Sequence, residues 1–144
     1  MLIHLGDVED DPEKIRKWLR GGIVPAVFIQ GNCDRYSGDK LKKIAVFELN
    51  SHRFFCTHGH RQGVNYGVEG LMYSAMENDC DIALYGHTHI PFDDTFEGFG
   101  GASSGSVHIL NPGSISLPRG GSKKSYMVMI FDDEGNYEVE LKVL

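Results

Sequence analysis

Cysteine is too sparse in this chain to staple a fold and too scattered to hold zinc. Cys33, Cys56 and Cys80 are the three cysteines of 144 residues, and no Cys-x-x-Cys pair occurs. Such a set argues against a disulfide framework and a sulfur-rich structural metal site, and it reads as reduced thiols in a cytoplasmic setting. Long apolar runs are missing as well. None approaches the ~20 residues of a membrane-spanning helix, and no basic segment followed by an apolar one opens the sequence. A membrane partner is therefore not expected. Basic charge is scarce: fourteen Lys and Arg stand against twenty Asp and Glu, for a formal net charge of -6. That balance speaks against a binder of nucleic-acid polymers, which would want a basic face. It leaves room for a small phosphate ester, because bound cations reverse a local field.

What is present is ordinary in bulk, with 41% apolar and 24% charged residues. One domain spanning residues 1–144, with its own core, is the expectation. Within it, short apolar runs repeatedly end in polar residues. Residues 2–5 are apolar except for His4 and run into Gly6-Asp7. Asp11-Pro12-Glu13 sets a helix start, with an N-cap carboxylate, proline at the first helical position and an acid in the first turn. Ile15, Trp18 and Leu19 give that helix an apolar stripe before Gly21-Gly22. Residues 25–30 form a second strand that enters Gly31-Asn32-Cys33-Asp34. Strand, helix, strand with polar residues at the carboxyl ends is a βαβ unit.

Residues 44–49 and 53–56 flank Asn50-Ser51-His52 as a hairpin, and the second strand enters Thr57-His58-Gly59-His60. Leu71, Met72, Ala75 and Met76 recur at helical spacing within residues 68–80. Residues 82–85 are a short buried strand ending in Gly86-His87-Thr88-His89. Residues 90–106, acidic at Asp93 and Asp94 and then Gly/Ser-rich, read as an irregular surface loop or loose hairpin tip. Residues 107–110 are a strand, and Asn111-Pro112-Gly113-Ser114 is a turn by composition. Residues 126–131 and 137–143 bracket a hairpin, whose last strand alternates apolar and charged side chains. The order suggests two stacked sheets with helices outside.

Asp7, Asn32, His58, His87 and His89 all stand just past strands. Two histidines two residues apart at a strand's exit are expected to project the same way, since side-chain direction repeats every second residue. Neutral imidazole is the commonest protein ligand for a divalent metal. Each of the five alone has a plain structural explanation, such as turn geometry or a hydrogen-bonded core histidine. Four separate strands ending in ligand types point jointly to a metal site.

Gly6-Asp7, Gly31-Asn32-x-Asp34, His58-Gly59-His60 and Gly86-His87-Thr88-His89, in that order, resemble the calcineurin-like metallophosphoesterase superfamily. Asn111-Pro112-Gly113-Ser114 and the small size are similar to its short single-domain phosphodiesterase branch. The resemblance implies an α/β fold, a four-layer αββα sandwich of two mixed β-sheets flanked by helices, with a two-metal site at the strand ends. It implies that Asp7 bridges the metals, that Asn32, His58 and His87 complete one site, and that His89 serves the other. Asp34 and His60 are implied as the catalytic neighbours, beside the substrate phosphate or behind the ligands. The implied reaction is hydrolysis of a phosphoester, specifically a phosphodiester, with a metal-bound hydroxide attacking phosphorus. Imidazoles with one carboxylate and one amide oxygen suit Mn, Fe, Co, Ni or Zn better than Ca or Mg, and Mn is the expected ion.

Two departures qualify the resemblance. Larger family members carry a histidine after the asparagine as general acid, where this chain has Cys33, a poor match for protonating an alkoxide. Members of the small branch share that cysteine. Relatives also open with a strand ending in Asp-x-His, and no Asp-x-His occurs here. A strand-helix unit of roughly 30 residues is thus expected to be missing, leaving the fold N-terminally truncated. One site would keep Asp7, Asn32, His58 and His87, the other only Asp7 and His89, and activity would be reduced. An unpaired sheet edge would favour a homodimer. The competing reading is a non-catalytic scaffold that uses this fold to bind protein partners. The retained ligand types favour the enzyme.

Overall fold

The computed structural model describes residues 1–34, 41–98 and 105–144. In chain order the elements are β1 (Leu2–His4), α1 (Pro12–Trp18), β2 (Ala26–Phe28), β3 (Ile44–Leu49), β4 (His52–Thr57), α2 (Glu69–Glu77), β5 (Ile82–Leu84), β6 (Pro91–Glu97), β7 (Ser106–Pro112), β8 (Ser125–Phe131) and β9 (Tyr137–Val143). A five-stranded mixed sheet, ordered β3-β4-β5-β7-β6, forms the middle. β4, β5 and β7 run parallel, with Phe55 opposite Ala83 and Ala83 opposite Ile109. β3 and β6 close the two edges in antiparallel register.

Alternation along each strand divides the side chains between two faces. Phe55, Ala83, Val107 and Ile109 take one face, where Leu71, Met72 and Ala75 of α2 cover them. Phe54, Cys56, Ile82 and Leu110 take the other, packed with Ile29 against the half-buried Ile3, Val27, Met127, Met129 and Val139. Each large side chain removed from water here contributes about 1.5–3 kcal/mol. The second strand layer consists of β1 parallel to β2 and β8 antiparallel to β9. Among the described residues these pairs share no ladder, so this layer is two pairs and not one continuous mixed sheet.

Helix α1 lies outside β2. Asp11 caps it by accepting from the Glu13 N–H at 3.0 Å. Arg16 donates to the Ala26 carbonyl at 2.8 Å and lies over the Phe28 ring. The apolar stripe expected on this helix is buried only in part: Ile15 and Leu19 are half-buried, and Trp18 is 68% exposed. Arg16 thus helps fasten α1 where fuller apolar burial was expected. Helix, sheet, strand pairs and helix follow one another as four layers. No helix among the described residues is long and apolar enough to cross a membrane.

Two sequence expectations change. Much of the stretch read as irregular is the edge strand β6, and residues 99–104 lie outside the described residues. Its Phe92 and Phe96 pack on the α2 face, while acids on an edge strand are a common guard against further pairing. That charge masked the apolar rhythm. Asn111 and Pro112, read as a turn, end β7, and the turn begins at Gly113, where φ is 78°.

Candidate metal centre

Three of the five expected donors sit in left-handed backbone conformations that bulky residues rarely adopt: φ is 55° at Asp7, 65° at His87 and 59° at His89. Each costs about 1–3 kcal/mol and persists only where the surroundings over-determine it. Here strand β5 ends at Leu84, so His87 and His89 leave the strand on a tight turn, with Thr88 N–H donating to the Gly86 carbonyl at 2.7 Å. The expectation that both project alike by strand periodicity does not hold, because that periodicity requires extended backbone.

Asp34 shows what over-determines Asp7. Its buried carboxylate accepts from the backbone N–H of Asp7 at 2.8 Å, of Gly31 at 2.7 Å and of Glu9 at 3.2 Å. One side chain therefore joins the turn after β1 to the turn after β2. Both oxygens accept backbone N–H groups, so Asp34 holds Asp7 and Gly31, the neighbour of Asn32, in place. Gly31 is required at this crossing, since a Cβ there would meet the Asp7 carboxylate and backbone.

His58 is 1% exposed, and its Nδ1 lies 2.6 Å from the Leu5 carbonyl oxygen. A carbonyl only accepts, so Nδ1 carries the proton and Nε2 presents a lone pair. That Nε2 faces Asn32 Oδ1 at 3.0 Å, His87 Nδ1 at 3.2 Å and Asp7 Oδ2 at 3.4 Å. Asn32 Oδ1 is also 3.0 Å from His87 Nδ1. The Asn32 amide nitrogen turns the other way, toward Cys33 Sγ. The one proton open to the cluster is on His87 Nδ1, because His87 Nε2 accepts from Asn65 at 2.9 Å.

A carboxylate oxygen, an amide oxygen and two imidazole nitrogens thus crowd one point with a single proton between them. Metal–ligand bonds of about 2.1 Å, at angles between right and tetrahedral, place neighbouring donors about 3.0–3.4 Å apart. The spacing fits a divalent cation, and ligation through His87 Nδ1 would call for the tautomer with its proton on Nε2, which Asn65 would accept with its amide oxygen turned inward. The amide is integral. Without it, no group of three or more His, Cys, Asp or Glu side chains among the described residues stands ready to hold a metal.

Electrostatics agree with ligand duty. Burial lowers the His58 pKa against the pull of the Leu5 carbonyl and Asp7. Burial lowers that of His87 too, aided by His60 and Arg119. Both rings are neutral at pH 7, the state a metal needs. The Cys33 thiol is pushed up by desolvation and by the Asp7 and Glu9 carboxylates, so it remains protonated. Its backbone N–H donates to Asp7 Oδ1 at 2.8 Å.

Of the expected residues, Asn32, His58 and His87 meet directly, and Asp7 approaches them at His58 Nε2. His60 stands beside them, its ring 5.3 Å from that of His58 and 6.0 Å from that of His87, with Nδ1 buried and unpartnered. His89 is held separately, Nδ1 donating to the Leu117 carbonyl at 2.6 Å. Sequence reasoning missed two supports, Asn65 and Asn111. The Asn111 side chain is fully buried, donates to Gly86 O and Thr88 Oγ1, and accepts from Gly113 N–H. An asparagine before proline reads as a turn former, which hid its role.

Comparison with known proteins identifies the family. Residues 1–134 match the profile of the calcineurin-like phosphoesterase superfamily domain. The chain is 28% identical over 134 residues to YsnB of Bacillus subtilis (strain 168), named a probable metallophosphoesterase, covering 93% of this chain and 70% of that protein. It is 31% identical over 142 residues to the phosphodiesterase YfcE of Escherichia coli (strain K12), covering 87% and 69%. A solved protein of Streptococcus pneumoniae TIGR4, described as a predicted phosphoesterase, superposes with a TM-score of 0.74 at 32% identity, over 98% of this chain and 72% of that one. A single mutant of Vps29 from Entamoeba histolytica superposes at 0.68 with 20% identity, over 99% and 81%, a likeness of fold alone. With both the profile and the relatives spanning most of its length, the chain belongs to the calcineurin-like phosphoesterase superfamily, in its branch of small metallophosphoesterases.

Proposed function

We propose that this chain hydrolyses small phosphodiesters with the help of a divalent cation held by Asp7 Oδ2, Asn32 Oδ1, His58 Nε2 and His87 Nδ1. The observation that carries the reading is the gathering of the other three atoms within 3.0–3.4 Å of His58 Nε2, with Asn32 Oδ1 and His87 Nδ1 also 3.0 Å apart. A bound divalent ion would supply Lewis acidity toward a phosphoryl oxygen and a water of lowered pKa. Mn is the ion we expect, with Fe, Co, Ni or Zn chemically acceptable to the same donors.

The protein's own groups set the charge and the geometry. One carboxylate and three neutral donors leave a dication with a formal +1, a match for the single negative charge of a phosphodiester. The Leu5 carbonyl fixes the tautomer of His58, as the partner of a ligating imidazole commonly does. Asp34 and Gly31 hold Asp7 and Asn32 at their turns. A protonated Cys33 adds no negative charge, yet it is a weak acid. Esters whose leaving group departs without strong protonation, such as aryl phosphates, are therefore the favoured substrates. We assign His60 to the substrate side of the cluster on its packing against His58 and His87.

Turnover of a bis-aryl phosphate with added Mn, beside an Asn32→Ala control, tests the reading. Metal-dependent hydrolysis that the control lacks is the expected result. Absence of any metal-dependent turnover would overturn it and leave a non-catalytic scaffold.

A further inference from the structure

The segment after β7 folds back onto the histidine turn and brings a guanidinium with it. His89 Nδ1 donates to the Leu117 carbonyl at 2.6 Å, and the Arg119 N–H donates to the His89 carbonyl at 3.1 Å. Ser122 Oγ bonds the Arg119 carbonyl at 2.6 Å and reaches the His89 carbonyl at 3.4 Å. Gly120 and Gly121, with φ of 61° and 76°, make the left-handed turn that lets the chain close in this way. The backbone of Arg119 is thereby fixed to the turn that carries His87 and His89.

Its side chain is not used to hold the fold. Arg16 pairs with Glu13 and the Ala26 carbonyl, and Arg53 donates to the Asn78 carbonyl. Arg119 is exposed and, among the described residues, has neither a carboxylate partner nor a side-chain hydrogen bond. In a chain of net charge -6, this is a cation whose backbone is anchored to the turn that carries His87, with no counter-ion among the described residues.

We infer that Arg119 binds the non-bridging oxygens of the substrate's phosphate. A guanidinium is always charged and presents a planar fork that pairs two oxygens at once, which a phosphodiester offers. It raises the positive charge facing the anion from the formal +1 of the liganded cation to +2. The inference rests on the phosphoesterase reading of the site and adds to it the group that captures the anion. Arg119 then acts on substrate affinity and has no part in holding the metal.

The test compares wild type with Arg119→Ala and Arg119→Lys, all Mn-loaded. Binding of inorganic phosphate is measured by calorimetry, together with metal content and melting temperature. Loss of a charged pair of hydrogen bonds is expected to weaken phosphate binding about 10- to 100-fold in Arg119→Ala, with Arg119→Lys between the two. Metal content and melting temperature should stay at wild-type values, and added guanidinium ion should restore part of the lost affinity. With a bis-aryl phosphate, KM should rise by a larger factor than kcat falls. Equal phosphate affinity in wild type and Arg119→Ala would overturn the inference, and so would a wild type that binds no phosphate. Loss of metal or of melting temperature that Arg119→Lys does not repair would overturn it in favour of a structural role. Arg119-dependent phosphate binding without diester turnover would uphold the anion site while defeating the hydrolase reading, so the two fail separately.

Discussion

The buried side-chain amide of Asn111 donates to the carbonyl oxygen of Gly86 at 2.9 Å, tying the end of β7 to the turn that presents His87. The same amide reaches Thr88 Oγ1 at 3.0 Å, and its oxygen accepts from Gly113 N–H at 2.9 Å. Truncation to Asn111→Ala would leave the Gly86 carbonyl with Thr88 N–H alone and would strip Gly113 N–H of its acceptor. A loss of about 1–3 kcal/mol of stability is expected, the usual cost of orphaning a buried polar group. Because the strained His87 turn relaxes with it, metal affinity should fall as well. Urea unfolding and metal titration check both, and an unchanged metal affinity would detach Asn111 from the site.

Asp34 poses a sharper case because its partners are all backbone. Asp34→Asn keeps the shape but replaces one acceptor oxygen with a donor facing N–H groups. Three charge-assisted bonds from Asp7, Gly31 and Glu9 weaken or invert. Destabilisation of about 1.5–3 kcal/mol is expected, together with weaker metal binding although no ligand has been touched. A variant with wild-type stability and metal content would show that the turns after β1 and β2 hold without this carboxylate.

The cluster was legible because its donors are uncommon residue types placed where apolar runs stop. Asp7, Asn32, His58 and His87 announce themselves in this way, and the central sheet follows from the runs that precede them. What supports the cluster was not legible. Asn111 looked like a turn former, and Asn65 has no sequence signature. The left-handed φ of His87 depends on contacts made from β7, 24 residues away in sequence at Asn111. β6 was hidden by acids that an edge strand tolerates and an inner strand would not. Trp18 misled in the opposite direction: helical spacing suggested a buried stripe, while Arg16 holds the helix by its contacts with the Ala26 carbonyl and the Phe28 ring.

At the far end of the sheet, His52 gives stability a pH dependence. Its Nδ1 lies 2.5 Å from Asp81 Oδ2 and its Nε2 2.9 Å from the Gly135 carbonyl, and both partners only accept. The imidazolium alone satisfies the two. Burial opposes the charge, but Asp81 and the carbonyl outweigh it, and the pKa rises above 6.5. A raised folded-state pKa stabilises fully below the unfolded value and is lost as pH rises through the folded one. The advantage of wild type over His52→Gln should therefore be larger at about pH 5.5 than at about pH 8.5. The difference should be no more than about 1 kcal/mol, because Asp81 is half-exposed and screened. Denaturant unfolding of both proteins at both pH values decides it, and a constant gap would show that the proton is not shared as described.

Gly31 offers the most local test of how closely the site is built. Its N–H donates to Asp34 at 2.7 Å, and the space above its Cα is filled by the Asp7 carboxylate and backbone. In Gly31→Ala the added methyl has nowhere to go, because the obstacle is partly main chain and Asp34 pins that main chain from the other side. The turn after β1 must shift, and Asp7 Oδ2 moves from its 3.4 Å approach to His58 Nε2. Overpacking of this kind costs about 1–3 kcal/mol, while the α2 face of the sheet, remote from the crossing, should stay intact. The expected outcome is a folded protein with a lower melting temperature and metal affinity reduced at least about 10-fold, the scale on which displaced support residues act. Metal titration beside a far-ultraviolet spectrum separates loss of the site from loss of the fold. Wild-type metal affinity in Gly31→Ala would mean that Asp7 is not held against Gly31 as described, and that its carboxylate reaches the other donors by a different path.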